Sequence, residues 1–322
     1  MEEPKVIQQF NLSDTPPKSI RHYWVDLITD GMNNPMRVPI MVARGSQDFP
    51  ILGLTAAVHG NELNGIPVIQ RLFSEIEVED LKGTIVGVPV VNIPSFVRKK
   101  RRFNDGVDLN HIMPGKADGN VSQVYAYRFF HKLVKHFDYL LDLHTASLGR
   151  INSYYVRADM KHPVTRKLAM LQGAQLIVHN PPSDGTLRGA ADEIDIPAIT
   201  LEVGNPNTFQ RKMIKSGIIG VHNVLSYLEM TDDEAIMPEI PTVVCQRSYW
   251  IYTDIGGLLQ VHVDLMERVE EGTLIASMRD VFGNLVKEYF APEDGVVIGK
   301  SVSPVNQTGG RILHLGIVRK NT

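Results

Sequence analysis

Cysteine is the scarcest residue in the sequence, with Cys245 alone among 322 positions. A single thiol excludes an internal disulfide framework and a cysteine-built zinc site, and it fits a reducing compartment. Any metal therefore has to be held by histidine and carboxylate. Long apolar runs are also missing. None approaches the roughly 18 residues of a membrane-crossing helix, and the opening Met-Glu-Glu-Pro-Lys lacks the basic-then-apolar pattern of a secretory signal. A cytoplasmic location with no membrane partner is the expectation. Charge of one sign is not in excess either: 33 Lys and Arg face 36 Asp and Glu, a net charge of −3, so no global field draws nucleic acid. What remains is ordinary globular material, 43% hydrophobic and 21% charged, in a length that fits one large domain and a smaller one.

Residues 23–28 alternate, 30–35 carry turn chemistry and 36–43 are again extended, an antiparallel start to a sheet. Residues 51–58 form a continuous apolar run, the mark of a strand buried on both faces, and His59, Gly60, Asn61 and Glu62 follow at once. Leu63, Ile66, Ile69, Leu72, Phe73 and Ile76 then fall at helical spacing, with Pro67 tolerable near the first turn. Strands at 84–91, 139–143, 176–178 and 197–203 alternate with helical patterns at 121–137 and 213–228. These alternations predict an α/β fold, a central mixed sheet flanked by helices. After an acidic, proline-containing linker at 231–241, short strands at 249–253, 257–263, 273–278, 285–290 and 295–298 predict a smaller C-terminal all-β domain. The expected division is 1–235 and 240–322.

His59, Glu62, His144 and Glu202 each stand at or just past the C-terminal end of a predicted strand, the edge where ligands gather in open α/β sheets. His59 and Glu62 are three apart in a turn opening a helix, a spacing that can aim both at one point. His144 from a distant strand completes a set of two histidines and one carboxylate. Such a set leaves a position for water, as in a catalytic zinc site, whereas a structural zinc is closed by four protein ligands. By itself His-x-x-Glu is weak, because chance produces it often. Asp142, which strand alternation places on the side of His144, is a candidate to orient an imidazole.

Four strings stand in order: Ala57-Val58-His59-Gly60-Asn61-Glu62; Asp108-Leu109-Asn110-His111-Ile112-Met113-Pro114-Gly115; Leu141-Asp142-Leu143-His144-Thr145; and Leu201-Glu202-Val203-Gly204. Together they resemble the succinylglutamate desuccinylase and aspartoacylase family, a branch of the zinc carboxypeptidase-like fold, over most of residues 50–205. The resemblance implies one zinc per chain on His59, Glu62 and His144, Glu202 as general base, and Arg102 as the arginine facing the tetrahedral oxyanion. Arg101 competes with Arg102 for that last assignment. Asn110 matches a substrate-binding asparagine, but His111 stands where the family commonly has an arginine for a substrate carboxylate. A histidine neither forks nor stays charged at neutral pH, so either the substrate lacks that group or another arginine, such as Arg188, supplies the anchor.

The implied activity is a zinc-dependent amidohydrolase that removes the acyl group of an N-acyl amino acid or related small amine through activated water. Carboxypeptidase action on short peptides and a non-catalytic ligand-binding role are the alternatives, and a homodimer is a family expectation. The C-terminal domain resembles a lipoyl or biotinyl barrel-sandwich. Residues 280–284 occupy the hairpin where a modifiable lysine would stand, so a cover over the active-site mouth is expected instead.

Overall fold

Residues 3–183 and 185–318 are described by the computed structural model of the chain. Alternation builds its first layer: β2 (Ser19–Thr29) and β3 (Pro35–Arg44) form an antiparallel hairpin, with β1 (Lys5–Ile7) parallel to β2 at the edge. The continuous apolar run becomes β4 (Ile51–Ala56), buried at every residue because helices cover both its faces. There follow α1 (Gly65–Glu75), β5 (Thr84–Val88), α2 (Ile93–Val97), α3 (Val121–Lys132) and β6 (Tyr139–His144). Next come β7 (Arg150–Asn152), β8 (Tyr154–Ala158), α4 (Pro163–Leu171), β9 (Leu176–His179), α5 (Leu187–Asp192), β10 (Ala198–Val203) and α6 (Arg211–Tyr227).

The strand order β1-β2-β3-β5-β4-β6-β10-β8-β9 mixes directions. β4 lies parallel to β5 and β6, and β6 parallel to β10, while β3–β5 and β8–β10 are antiparallel. Neighbouring residues of a strand feed opposite cores. Leu141 and Leu143 of β6 join Ile69 and Leu72 of α1 and Val221 of α6, whereas Leu140 joins Tyr125 and Phe129 of α3. Gly65 lets α1 begin directly on the sheet: a Cβ there would lie 2.6 Å from Leu143 Cβ and 2.8 Å from Ala56 Cβ. That close approach holds the turn ahead of α1 against the ends of β4 and β6. Among the described residues no helix is long and apolar enough to cross a membrane.

Residues 231–242 contain neither helix nor strand. Beyond them lie β11 (Val243–Tyr252), β12 (Gly257–Val261), β13 (Arg268–Val269), β14 (Leu274–Arg279), β15 (Leu285–Phe290), β16 (Gly295–Ser301), β17 (Val305–Asn306) and β18 (Arg311–Val318). The order β15-β14-β12-β17 makes a separate antiparallel sheet. β11, however, starts six residues before the predicted 249–253 and pairs parallel with β9, Val243 opposite Leu176, then antiparallel with β18. The central sheet therefore runs on into the C-terminal part, reaching fourteen strands. β7 adds a second connection, Asn152 opposite Gly299 and Arg150 opposite Ser301 of β16.

Candidate active site

β4 ends in a bend at Ala57, whose φ of 51° is uncommon for a residue with a Cβ and turns the chain sharply out of the sheet. Asn92 braces the exit by donating from Nδ2 to the Val58 carbonyl (3.0 Å), and the Glu62 N–H closes the turn on the His59 carbonyl (3.0 Å). Gly60 sits within this turn against the chain at Ser95 and Phe96, where a Cβ would fall 2.1 Å from backbone atoms. The turn places His59 and Glu62 beside the end of β6, which carries His144.

The three side chains meet. His59 Nδ1 lies 3.3 Å from His144 Nδ1 and 3.0 Å from Glu62 Oε1, and His144 Nδ1 lies 3.0 Å from Glu62 Oε2. All three residues are buried. Each imidazole is fixed from behind by a carboxylate: Asp108 Oδ1 is 3.0 Å from His59 Nε2, and Asp142 Oδ2 is 2.7 Å from His144 Nε2. Thr55 on β4, opposite Asp142 in register, donates to Asp142 Oδ1 at 2.7 Å. Asp108 heads a short 3-10 turn, Leu109–His111, and also accepts from the Asn110 N–H.

This arrangement suits a divalent ion. Ligand atoms about 2.0–2.1 Å from a tetrahedral zinc stand roughly 3.3 Å apart, close to the observed separations. Carboxylates behind the rings favour the tautomer with Nε2–H, leaving both Nδ1 lone pairs for the ion. The electrostatics agree. Burial raises the Glu62 pKa, but His59 and His144 outweigh it and hold the carboxyl well below its usual range. Burial likewise opposes a charged His144, yet Asp142 and Glu62 raise its pKa well above that of a free imidazole. Three carboxylates around two rings thus draw positive charge, as protons or as a metal.

β10 lies beside β6, and Glu202 pairs in register with His144, so both project from adjacent strand ends on one face. Glu202 accepts from Asn152 Nδ2 at 3.2 Å, and Arg157 Nε lies 3.4 Å from its other oxygen. Of the two competing arginines, Arg101 reaches the triad. Its Nη1 donates to Glu62 Oε1 at 2.9 Å and to Ser147 Oγ at 2.7 Å, while its Nε donates to Asp108 Oδ2 at 2.9 Å. Arg102 instead donates to the Gly106 carbonyl at 3.0 Å. Asn110 accepts from the Leu187 N–H at the start of α5 (2.8 Å), and His111 is exposed. Arg188 is buried and spends both terminal nitrogens on Asn180, each bond 2.6 Å long. Burial, with Arg157 nearby, lowers its pKa to about 10.

His59, Glu62, His144, Glu202, Arg101, Arg102, Asn110, His111 and Arg188 all line one cavity of about 450 Å³. Arg150, Asn152, Arg157, Trp250 and Arg311 line it too, and no motif in the sequence singled them out. Trp250 and Arg311 come from β11 and β18, so the C-terminal part forms a wall of the cavity. A more apolar cavity of about 590 Å³ beside β2 and α1 gathers none of the residues the sequence singles out.

A model of the succinylglutamate desuccinylase/aspartoacylase catalytic domain matches residues 48–228. The N-alpha-acetyl-L-2,4-diaminobutyric acid deacetylase of Halomonas elongata is 25% identical over 276 residues, 82% of this chain and 80% of that protein. The succinylglutamate desuccinylase of Pseudomonas paraeruginosa is 27% identical over 180 residues, 51% of this chain and 54% of that one. Among solved structures, the product-bound ectoine utilization protein EutE (DoeB) from Ruegeria pomeroyi superposes with a TM-score of 0.84 at 22% identity, covering 92% of this chain and 95% of that one. A succinylglutamate desuccinylase from Silicibacter sp. TM1040 gives 0.85 at 23% identity, covering 99% and 100%. The structural likenesses establish a shared fold, mixed sheet and C-terminal strands included.

Proposed function

The chain belongs to the succinylglutamate desuccinylase/aspartoacylase family, and from that premise we propose that it hydrolyses the amide bond of a small N-acyl amino acid with the help of one zinc ion. One observation carries the reading: two buried imidazoles and a carboxylate bring their donor atoms to 3.0–3.3 Å of one another, each ring braced by its own aspartate. His59, Glu62 and His144 would hold the ion. When bound, it supplies Lewis-acid polarisation of the amide carbonyl and brings the acidity of water towards neutrality.

The remaining work falls to side chains. Glu202, oriented by Asn152 and Arg157, accepts the proton of the attacking water on a carboxylate oxygen and returns it to the leaving amine. Arg101 takes the oxyanion role in place of Arg102, because its Nη1 already touches Glu62 and His59 while Arg102 is turned to Gly106. Arg188 and Asn110, tied together through the start of α5, shape the substrate end, and His111 stands at the rim. Residues 240–322 act as a cover whose inner strands close the cavity. The deacetylase relative makes N-alpha-acetyl-L-2,4-diaminobutyrate the first substrate to try.

The test is release of free acyl acid by the zinc-loaded protein from that compound and from a panel of N-acetyl and N-succinyl amino acids, with unmodified dipeptides alongside. Zinc-dependent acetate or succinate release is expected. Cleavage of dipeptides alone would move the assignment to a carboxypeptidase, and no cleavage of either class would defeat it.

A further inference from the structure

The cavity wall opposite in character to the metal cluster is built from Arg150 on β7, Trp250 on β11 and Arg311 on β18. Both guanidinium carbons sit over the Trp250 ring, Arg150 at 5.4 Å from its centroid and Arg311 at 5.2 Å. The indole is itself fixed. Its cross-strand partner His314 stacks on it at 5.0 Å with 13° between the planes, and His314 is tethered to Ser248 Oγ at 2.8 Å.

Neither guanidinium has a hydrogen bond or an ion pair among the described residues. Every other arginine of the cavity does: Arg101 with Glu62 and Asp108, Arg102 with a carbonyl, Arg157 with Glu202, and Arg188 with Asn180. Two cations on one aromatic ring repel each other, and burial, then Arg311 and Arg101, lower the Arg150 pKa to about 10. Glu202 and Glu62 favour the charged form of Arg150 through space, but among the described residues no acceptor takes the side-chain N–H donors of either arginine.

We propose that Arg150 and Arg311, held on Trp250, form the subsite that binds a carboxylate of the substrate, the anchor that His111 is unfit to provide. The inference rests on the reading that the occupant is an N-acyl amino acid. A carboxylate accepts from two guanidinium groups at once, and a carbon chain beside it finds the apolar indole face. Two of the three residues belong to the C-terminal part, so the cover contributes selectivity as well as closure.

The experiment uses zinc-loaded Glu202→Gln protein in a Trp24→Phe background, which leaves Trp250 as the only tryptophan of the two in the sequence. N-alpha-acetyl-L-2,4-diaminobutyrate and its C-terminal carboxamide are titrated, with affinity read by calorimetry and location by Trp250 emission. The acid should bind about tenfold or more tighter than the amide and shift the emission, because the neutral amide offers the two guanidinium groups no charge and matches their donors poorly. Arg150→Gln with Arg311→Gln should bring acid and amide within about twofold at unchanged zinc content, and the double lysine variant should restore part of the difference. Equal binding of acid and amide, a preference that survives the glutamines, no saturable binding, or silent Trp250 emission would each overturn the subsite. Tighter binding of inorganic phosphate than of the acid would overturn its assignment to a carboxylate. The parent reading fails separately. An active-site-intact protein that releases no acyl acid yet prefers acid to amide loses the hydrolase assignment and keeps the subsite.

Discussion

Two ends of one cavity differ in how their charges are answered. At the His59–Glu62–His144 end each imidazole has its own aspartate behind it, and those aspartates are bonded in turn to Arg101 and Thr55. At the Arg150–Trp250–Arg311 end the cations have an aromatic ring and, among the described residues, no carboxylate in hydrogen-bond or ion-pair contact. An over-supply of carboxylate around two rings is a site prepared for a cation, and an under-supply around two guanidinium groups is a site prepared for an anion. A molecule lying between them with an amide at one end and an acid at the other satisfies both.

Glu202 lies between the two ends, so its replacement separates chemistry from binding most sharply. Glu202→Gln keeps the volume and the contact to Asn152 but cannot take a proton. We expect turnover to fall by roughly 10²–10⁴-fold with about one zinc still bound, measured by acid release and elemental analysis. A variant that turns over near the parental rate would remove Glu202 from the mechanism. Next in size, Arg101→Ala should lower kcat by about 10²-fold or more, while Arg102→Ala should stay within about threefold. The reverse ranking would return the oxyanion role to Arg102 and leave Arg101 as a brace for Glu62 and Asp108. Smaller again, Asp142→Asn should weaken zinc affinity by about 10- to 100-fold through the loosened His144 ring, read by competition with a chelator. Unchanged affinity would show that the brace behind His144 has no bearing on the metal.

These two ends were unequally legible in the sequence. The metal end was readable because its residues follow apolar runs: residues 51–58 and 139–143 declare buried strands, and the polar residues after them have to emerge at the sheet edge. Even there Asp108 passed without a role, since a partner behind a ring carries no spacing rule, and the choice between Arg101 and Arg102 depended on how one loop turns. The cationic end was not readable. Arg150 lies on a three-residue strand and Arg157 on a strand of five, both too short for a period to show. The last strand, Arg311–Val318, has no counterpart among the predicted elements, and β11 begins six residues ahead of the predicted 249–253. With β18 missing and β11 cut short of its pairing with β9, nothing in the sequence could place Trp250 and Arg311 in the same cavity as His59. A continuous sheet from β9 through β11 to β18 is tertiary information, set by pairing across more than sixty residues between Leu176 and Val243.

The smallest effect lies beneath the cationic end, at His314. It faces Arg157 and Tyr155 from β8, Arg150 from β7, Trp250 and Ser248 from β11, and Arg311 on its own strand. Burial first, then the charges of Arg157, Arg311 and Arg150, push its pKa well below 6.5, so the folded protein keeps this ring neutral. In the unfolded chain the same ring takes a proton as pH falls through about 6.5. Below that pH the unfolded state therefore binds more protons than the native one, and stability declines as pH drops, whereas above it the contribution is complete. Urea unfolding of the parent and of His314→Phe at pH 7.5, 6.5 and 5.5 isolates the ring, because every other titrating group is shared. The parent should lose stability more steeply between pH 6.5 and 5.5, by up to about 1.4 kcal/mol per pH unit. Parallel slopes would mean that His314 accepts a proton in the folded state, and the wall beneath Trp250 would then be less cationic than its three arginines require.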